Sequence, residues 1–167
     1  MPNMCYNRVL MCASTPAAAN LFEACLKDLD IRGAQDGKGV FSHFKPRPAR
    51  EDYCPIEWSI DHWGTKWDVP DPVWKREDLS FHLKFETAWA PPFDFYRFIE
   101  YDGGWRVDGI YHEPGRMFLG RYANGRERSF RYDFRDPKWR DKLPQGIVEE
   151  VNLDREYQEW LENQDQV

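Results

Sequence analysis

The clearest pattern in the chain is a strict alternation of apolar and polar residues between Leu79 and Trp89. A period of two residues is typical of a β-strand that buries one face and leaves the other wet. The segment therefore predicts a half-buried strand with an outer face of His82, Lys84 and Glu86. The residues predicted to face the core are Leu79, Phe81, Leu83, Phe85, Thr87 and Trp89.

A short strand and an amphipathic helix are predicted ahead of that segment. Residues Asn7–Ala13 are almost continuously apolar, which is typical of a central strand. The helix start is predicted at Ser14-Thr15-Pro16, because a hydroxyl caps free backbone N–H groups and proline has none to satisfy. Apolar residues then recur every three or four positions, and Gly33 offers a left-handed stop.

The middle of the chain predicts shorter elements interrupted by proline, which is excluded from most regular structure. Glycines and prolines set the boundaries between them. The predicted elements are a strand at Val40–Phe44, a helix at Ile56–Trp63, an irregular loop at Lys66–Asp78, a helix from Pro91-Pro92 to about Asp102, and a strand at Trp105–Tyr111.

A β-hairpin and a last helix are predicted toward the end of the chain. Asn124-Gly125 separates the strands Met117–Tyr122 and Arg126–Phe134, and this dipeptide suits the positive φ angles of a two-residue hairpin turn. Asn152 is predicted to cap a helix whose apolar face includes Leu153 and Tyr157.

The order of these elements predicts the fold class. Strand, helix, strand, strand, helix and strand follow one another, which is the ferredoxin-like βαββαβ order. We therefore expect an α+β protein with an antiparallel sheet and helices on one face, plus a C-terminal hairpin and helix. The predicted domain spans 1–140, with an irregular insert at 45–78 and the hairpin at 117–134, and 141–167 is an acidic helical extension of it.

Composition narrows the class of protein. The chain has 167 residues with 16% aromatic side chains, so it has the material for a core and is not a disordered chain. Its four cysteines form no Cys-x-x-Cys pair, and no segment resembles a signal peptide or a membrane span. We expect a cytoplasmic protein with reduced thiols and no cofactor.

Charge is unevenly distributed along the chain. The net charge is −6, which disfavours nucleic acid and anionic membranes. However, residues 116–140 carry eight basic and three acidic residues, whereas 149–167 carry seven acidic and one basic. Three interpretations are open. The acidic tail lies near the basic segment and neutralises it, it is a mobile tail beside a basic binding surface, or the asymmetry contributes only to solubility.

Four blocks of the sequence carry a family resemblance. They are Met1-Pro2-Asn3-Met4-Cys5-Tyr6-Asn7, Trp63-Gly64-Thr65-Lys66-Trp67-Asp68, Thr87-Ala88-Trp89-Ala90-Pro91-Pro92 and Glu113-Pro114-Gly115. In this order they resemble the YubB-like ferredoxin-like domain family, whose members are phage- and plasmid-associated proteins of unknown function. Met4 stands where the family has tryptophan, and His62 stands where it has asparagine. The resemblance implies the fold and a mobile-element context, and it implies no reaction.

The tryptophan-bearing blocks form one candidate site for a partner or ligand. An aromatic wall with a few polar groups is typical of a binding pocket or a protein interface. The alternative is that the tryptophans only anchor the irregular insert to the sheet. The candidate residues are Trp63, Lys66, Trp67, Asp68, Thr87, Trp89 and Glu113.

Arginines of the hairpin region form a second candidate site, for nucleic-acid phosphates. They are Arg116, Arg121, Arg126, Arg128, Arg131 and Arg135.

The sequence gives weaker support for a phosphate loop, a metal site or a catalytic dyad. Gly64-Thr65-Lys66 lacks the upstream glycine of a phosphate loop, and His82, His112 and Glu113 have no local metal-ligand spacing. A Cys5 or Cys54 dyad with a histidine would be a chance pairing, so we predict no catalytic residue and no metal site.

Together these features favour a non-catalytic accessory protein of a phage or mobile element that binds a host macromolecule, a host protein first of all, and counters a host defence. The alternatives are a nucleic-acid-binding protein that uses the arginine-rich hairpin, and a small-ligand-binding protein or enzyme with a tryptophan-lined pocket.

Overall fold

The computed structural model describes residues 3–33, 38–49 and 52–164. The start of the Met1–Asn7 block and the last residues of the predicted 141–167 extension lie outside the described residues. The strands are β1 (Met4–Cys12), β2 (Val73–Glu77), β3 (Ser80–Ala88), β4 (Arg106–Glu113), β5 (Phe118–Ala123) and β6 (Arg126–Arg131). The helices are α1 (Pro16–Arg32), α2 (Val40–Phe44), α3 (Pro55–Trp63), α4 (Phe93–Tyr101), α5 (Gln145–Val151) and α6 (Leu153–Gln164).

The six strands form one antiparallel sheet in the order β2-β3-β1-β4-β5-β6. The protein therefore belongs to the α+β class, as the sequence predicts. Side chains alternate between two faces of the sheet. We call the face that carries Val9 and Leu83 the inner face and the face that carries Arg8 and Lys84 the outer face.

The inner face holds the main core, which α1 to α4 cover. Phe22 of α1 packs edge-on against Phe81 at 4.9 Å between ring centroids and against Trp105 at 5.4 Å. Phe41 of α2 lies 4.4 Å from Phe95 of α4. Such aromatic pairs add to the stabilisation from apolar burial, so this face fixes the fold.

The outer face is covered over only part of its width. The loop after β6 and helices α5 and α6 bury Leu119 of β5 together with Phe134, Trp139 and Val148 in a second, smaller apolar cluster. Over β1, β2 and β3 the outer face stays open. None of the helices within the described ranges is both long and apolar enough to cross a membrane.

Several predicted elements are confirmed. The Leu79–Trp89 alternation corresponds to β3, whose core-facing residues from Phe81 to Thr87 are buried. The prediction is wrong for Trp89, which follows the strand and is 38% exposed instead of facing the core. Thr15 caps α1, since its side chain accepts a hydrogen bond from the backbone N–H of Ala18 at 3.1 Å. The hairpin turns at Asn124 and Gly125, which adopt φ angles of 52° and 72°.

Two predictions for the insert are wrong. Val40–Phe44 is helix α2 rather than a strand, because the Asp68 carboxylate, distant in sequence, accepts hydrogen bonds from the backbone N–H groups that begin this helix. The predicted irregular loop Lys66–Asp78 contains β2, an edge strand that pairs with β3. A short apolar run is compatible with either type of element, and here the long-range contacts decide.

The C-terminal region also differs from the prediction. The segment 145–151, which lies ahead of the predicted last helix, forms a separate helix α5. Asn152 ends α5 in the left-handed conformation, with a φ of 57°, and its backbone carbonyl accepts from the N–H of Arg155 at the start of α6. It links two helices, whereas the sequence predicts a side-chain cap.

Candidate functional site

A groove of about 860 Å³ runs over the open part of the outer face. Its floor includes Tyr6 and Arg8 from β1 and Lys84 from β3. One wall is the segment that leads into β2, and the other is the α5–α6 junction with Glu156. The volume falls within the range of roughly 300–1,000 Å³ that is typical of ligand sites, although the groove is open along its length.

Two exposed tryptophans and a lysine stand beside this groove, and we call them the tryptophan corner. The Lys66 ammonium lies 4.9 Å from the ring centroid of Trp67 and 5.3 Å from that of Trp89. Trp67 is 41% exposed and Trp89 is 38% exposed. A cation between two ring faces is held by electrostatic attraction, which orders both rings at the surface.

The backbone at Trp89 is strained in a way that turns its ring outward. Its φ is 66°, a left-handed conformation that a bulky residue rarely adopts. The Thr87 hydroxyl donates to the Ala90 carbonyl at 2.8 Å, and the Trp89 N–H donates to the Asn3 carbonyl at 2.9 Å. Strain of this kind costs about 1–3 kcal/mol and persists at sites whose geometry is otherwise fixed.

The resemblance-bearing residues meet at this end of the central strands. The Asn7 side-chain amide donates to Thr87 Oγ1 and to the Cys5 carbonyl, both at 2.9 Å. Within the described part of the chain, the side-chain oxygen Oδ1 of Asn7 is buried without a hydrogen-bond partner. Burial and the neighbouring charge of Glu113 raise the pKa of the Cys5 thiol, so Cys5 stays protonated and is a poor nucleophile.

Three other residues of the tryptophan-bearing candidate set, Asp68, Glu113 and Trp63, have structural roles. The Asp68 carboxylate accepts from the N–H groups of Gly39 and Phe41 at 2.9 and 2.7 Å and from the Ser42 hydroxyl. The Glu113 carboxylate accepts from the turn N–H groups of Gly115 and Arg116 at 2.8 and 2.9 Å. Trp63 is fully buried, and its indole donates to the Lys45 carbonyl at 3.1 Å.

The structure therefore divides that candidate set. Trp67, Asp68 and Thr87 line the groove, and Lys66 and Trp89 stand at its edge, because the Lys66 ammonium lies over the rings of both Trp67 and Trp89. Trp63 lies in the inner core and Glu113 supports the turn before β5.

A polar cluster of His112, Tyr132 and Glu156 lies at the α5–α6 wall of the groove. His112 Nε2 lies 2.7 Å from the Tyr132 hydroxyl, which donates to Glu156 Oε1 at 3.1 Å. The hydroxyl proton is thus engaged by Glu156, so His112 donates its Nε2 proton to the tyrosine oxygen. Burial lowers the pKa of His112 to about 4 and raises the pKa of Glu156, so the imidazole is neutral at pH 7.

His82, His112 and Glu113 do not converge. His82 lies opposite Leu10 and His112 opposite Tyr6, four residues apart along β1, and Glu113 follows His112 and so points to the other face. Over residues 3–33, 38–49 and 52–164, no group of three histidine, cysteine or acidic side chains is arranged to hold a metal ion.

The candidate arginines also separate. Arg121, Arg126 and Arg128 lie on the outer face of the hairpin, whereas Arg131 lies opposite Phe118 on the inner side. Arg135 forms a bidentate pair with Asp133, which lowers the pKa of that carboxyl to about 2. The acidic helices do not neutralise the hairpin arginines through the ion pairs of Glu150 and Asp154, since Glu150 pairs with Arg8 and Asp154 with Arg140.

Several residues at the groove are not among the candidates predicted from the sequence. Tyr6 and Arg8 are absent because their strand is almost continuously apolar, so its alternation between the two faces of the sheet is not visible in the sequence. Tyr132 and Glu156 are absent because they reach His112 only through the packing of the C-terminal helices.

Fold and groove together define an α+β protein with an antiparallel sheet whose outer face is partly open. No family model matches the chain, and no curated protein matches it. Among solved structures, the crystal structure of a protein api92 from Yersinia pseudotuberculosis, described with the family model DUF1281, has a TM-score of 0.47 and 9% identity. The match covers 80% of this chain and 99% of that one.

Proposed function

We propose that this chain is a non-catalytic accessory protein of a phage or other mobile element that binds a host protein through the tryptophan corner. The observation that carries the proposal is the pair of exposed, ordered rings of Trp67 and Trp89 with Lys66 between them. The mobile-element origin is supported by the four sequence blocks that resemble the YubB-like family.

The chemistry of the corner specifies the partner surface. Tryptophan is enriched among the residues that dominate protein–protein binding, because it buries a large rigid area at low entropic cost. Lys66 adds a positive charge between the rings. The matching surface therefore presents apolar side chains to Trp67 and Trp89 and a carboxylate to Lys66.

A binding role is further supported by the state of the reactive side chains near the groove. The Cys5 thiol is buried and protonated, and the His112 imidazole is engaged by Tyr132. Neither group is placed as a nucleophile or a free base for a molecule in the groove. We propose the cytoplasm as the site of action, which is supported by the four free cysteines.

We also propose that β1 to β4 form a ferredoxin-like core. The supporting observations are their spatial order β2-β3-β1-β4, their antiparallel pairing, and the position of α1 and α4 against the inner face. On this proposal, α2 and α3 are insertions between α1 and β2, and β5, β6, α5 and α6 are additions.

The test of the protein partner is capture from a bacterial lysate with matched variants. We expect the wild-type chain to retain one host protein at a stoichiometric level and Trp67→Ala to lose it. Tyr101→Ala is the control, because Tyr101 is 92% exposed at the far end of α4. Retention of the same protein by Trp67→Ala, or no stoichiometric partner for the wild type, contradicts the proposal.

The defence-related role has its own test. We propose that the captured host protein belongs to a defence system, so expression of the chain should lower the protection of a bacterium that carries that system. Unchanged protection, measured as phage plating efficiency with and without the chain, contradicts this role and leaves the binding result standing.

A further inference from the structure

A row of basic side chains crosses the outer face at a single register. Lys84 of β3 lies opposite Arg8 of β1, Arg8 opposite Ile110 of β4, Ile110 opposite Arg121 of β5, and Arg121 opposite Arg128 of β6. We call Lys84, Arg8, Arg121 and Arg128 the basic row. Neighbouring strands lie about 4.8 Å apart, so the row spans roughly 19 Å.

This arrangement is unfavourable for folding by itself. Like charges directly opposite each other on neighbouring strands are destabilising, and the row contains two such pairs, Arg8 with Lys84 and Arg121 with Arg128. Glu150 lies 3.0 Å from Arg8, and Asp108 lies 2.5 Å from Arg121. Within the described ranges, no carboxylate is within ion-pair distance of Lys84 or Arg128, so the row keeps a net positive charge.

An exposed aromatic ring stands beside the row. Tyr6 precedes Arg8 by two residues on β1, shares its face, and is 48% exposed on the floor of the groove. Cations that follow a phosphate chain, next to an aromatic ring that stacks with a base, are the two elements of single-strand nucleic-acid binding. The carboxylates Asp71, Glu86 and Glu156 also line the groove, so the positive charge follows the register of the row rather than the whole groove.

We propose that the outer face binds single-stranded nucleic acid, with phosphates along the basic row and a base stacked on Tyr6. A double helix keeps its bases inside and offers none to Tyr6, and an acidic peptide would use the charges without the ring. The proposal does not depend on the host protein proposed above, because the row does not include the tryptophan corner.

The basic row differs from the arginine-rich hairpin that the sequence predicts as a nucleic-acid site. Only Arg121 and Arg128 of that set belong to the row, and Arg8 and Lys84 come from the central strands. Arg131 and Arg135 lie outside it, which makes them matched controls of the same charge.

The test is fluorescence anisotropy with a labelled oligothymidylate at increasing NaCl concentration. We expect binding at low salt that weakens steeply as salt rises, since bound counterions are released from the strand. Lys84→Gln and Arg128→Gln should each weaken binding and reduce the slope of log K against log salt by about 0.7. Arg131→Gln and Arg135→Gln should leave both affinity and slope unchanged.

Two further variants separate stacking from charge. Tyr6→Leu should weaken binding about tenfold without changing the salt slope, because it removes a ring and no charge. Glu150→Gln should strengthen binding, since it releases Arg8 from its ion pair.

Several results overturn the proposal. They are no binding by the wild type at low salt, an equal loss in Arg131→Gln and Arg128→Gln, no effect of Tyr6→Leu, and competition by polyglutamate or duplex DNA as strong as that by the single strand. Loss of host-protein capture in Trp67→Ala with unchanged oligonucleotide affinity would show that the two surfaces act separately.

Discussion

The inner and outer faces of the sheet differ in the side chains that they carry. On the inner face, most residues of β1, β3 and β4 are apolar and buried, and rings such as Phe22 and Phe81 pack edge-on against each other. On the outer face, the alternate residues of the same strands include like charges set opposite each other and an exposed tyrosine.

On the same strands, the inner-face residues therefore stabilise the fold, and the outer-face residues are available for binding. Burial of the inner face supplies the free energy that tolerates unfavourable pairs such as Arg8 with Lys84 on the outer face. The C-terminal helices cover the outer face around Leu119 and Phe130, and they leave the groove over β1 and β3 open and Arg121 and Arg128 exposed.

The largest effect is expected in the inner core. Phe41→Ala removes a fully buried ring that packs against Trp63 and Phe95, and it should lower the free energy of unfolding by about 3–5 kcal/mol. Urea denaturation measures this change. The outer-face control Tyr6→Leu should change the same quantity by less than about 1 kcal/mol, and equal losses in both variants would remove the distinction between the faces.

The covered part of the outer face should show a pH dependence. Burial lowers the pKa of His112 from 6.5 to about 4, so the unfolded chain takes up a proton as pH falls through 6.5 while the folded chain does not. Stability should therefore fall between pH 6.5 and pH 4, by up to about 3 kcal/mol. His112→Gln should flatten this fall, measured by denaturation at each pH.

The histidine test has a control and an opposing group. His82→Gln changes an exposed outer-face histidine and should keep the wild-type pH profile. Burial raises the pKa of Glu156, so its protonation favours the folded state as pH falls and opposes the His112 effect. The test is therefore the difference between the two profiles, and parallel profiles for the wild type and His112→Gln would contradict the prediction.

A smaller loss is expected from Asp68. Asp68→Ala leaves the N–H groups of Gly39, Phe41 and Ser42 without their acceptor, which should cost about 1–3 kcal/mol. Asp68→Asn keeps one acceptor oxygen and should cost less. Hydrogen exchange should show faster exchange of the Phe41 amide in Asp68→Ala, and unchanged exchange would mean that α2 does not depend on this carboxylate.

The smallest effect is expected to be a gain. Lys84→Glu places an opposite charge across from Arg8, and it should raise the free energy of unfolding by about 0.2–1 kcal/mol. The same change should abolish binding of the oligothymidylate. A loss of stability in Lys84→Glu, seen as a lower thermal midpoint, would show that the basic row is not unfavourable for folding.

Local patterns were sufficient to predict the long alternating strand, the Thr15 cap and the Asn124-Gly125 hairpin, because short-range geometry decides each of them. They were insufficient for α2 and β2. The helix at Val40–Phe44 depends on a carboxylate that the chain brings back from position 68. The strand β2 follows two prolines, and its pairing with β3 sets its structure.

The candidate site was predictable only in part. The exposed pair Trp67 and Trp89 belongs to the predicted set, because tryptophan in a proline-rich segment is a strong local signal. The basic row depends on strand register, which brings Arg8 beside Lys84 and Arg121 beside Arg128 from distant parts of the chain. No linear pattern contains that information.

Photo-crosslinking tests most directly the claim that the outer face is the binding face. An oligonucleotide that contains 4-thiothymidine would be irradiated with the full chain, and the modified peptides would be identified by mass spectrometry. We expect the crosslink to fall on Tyr6 and to disappear when unlabelled oligothymidylate is added. Crosslinks confined to the hairpin tip around Asn124, or to inner-face peptides, would contradict the account.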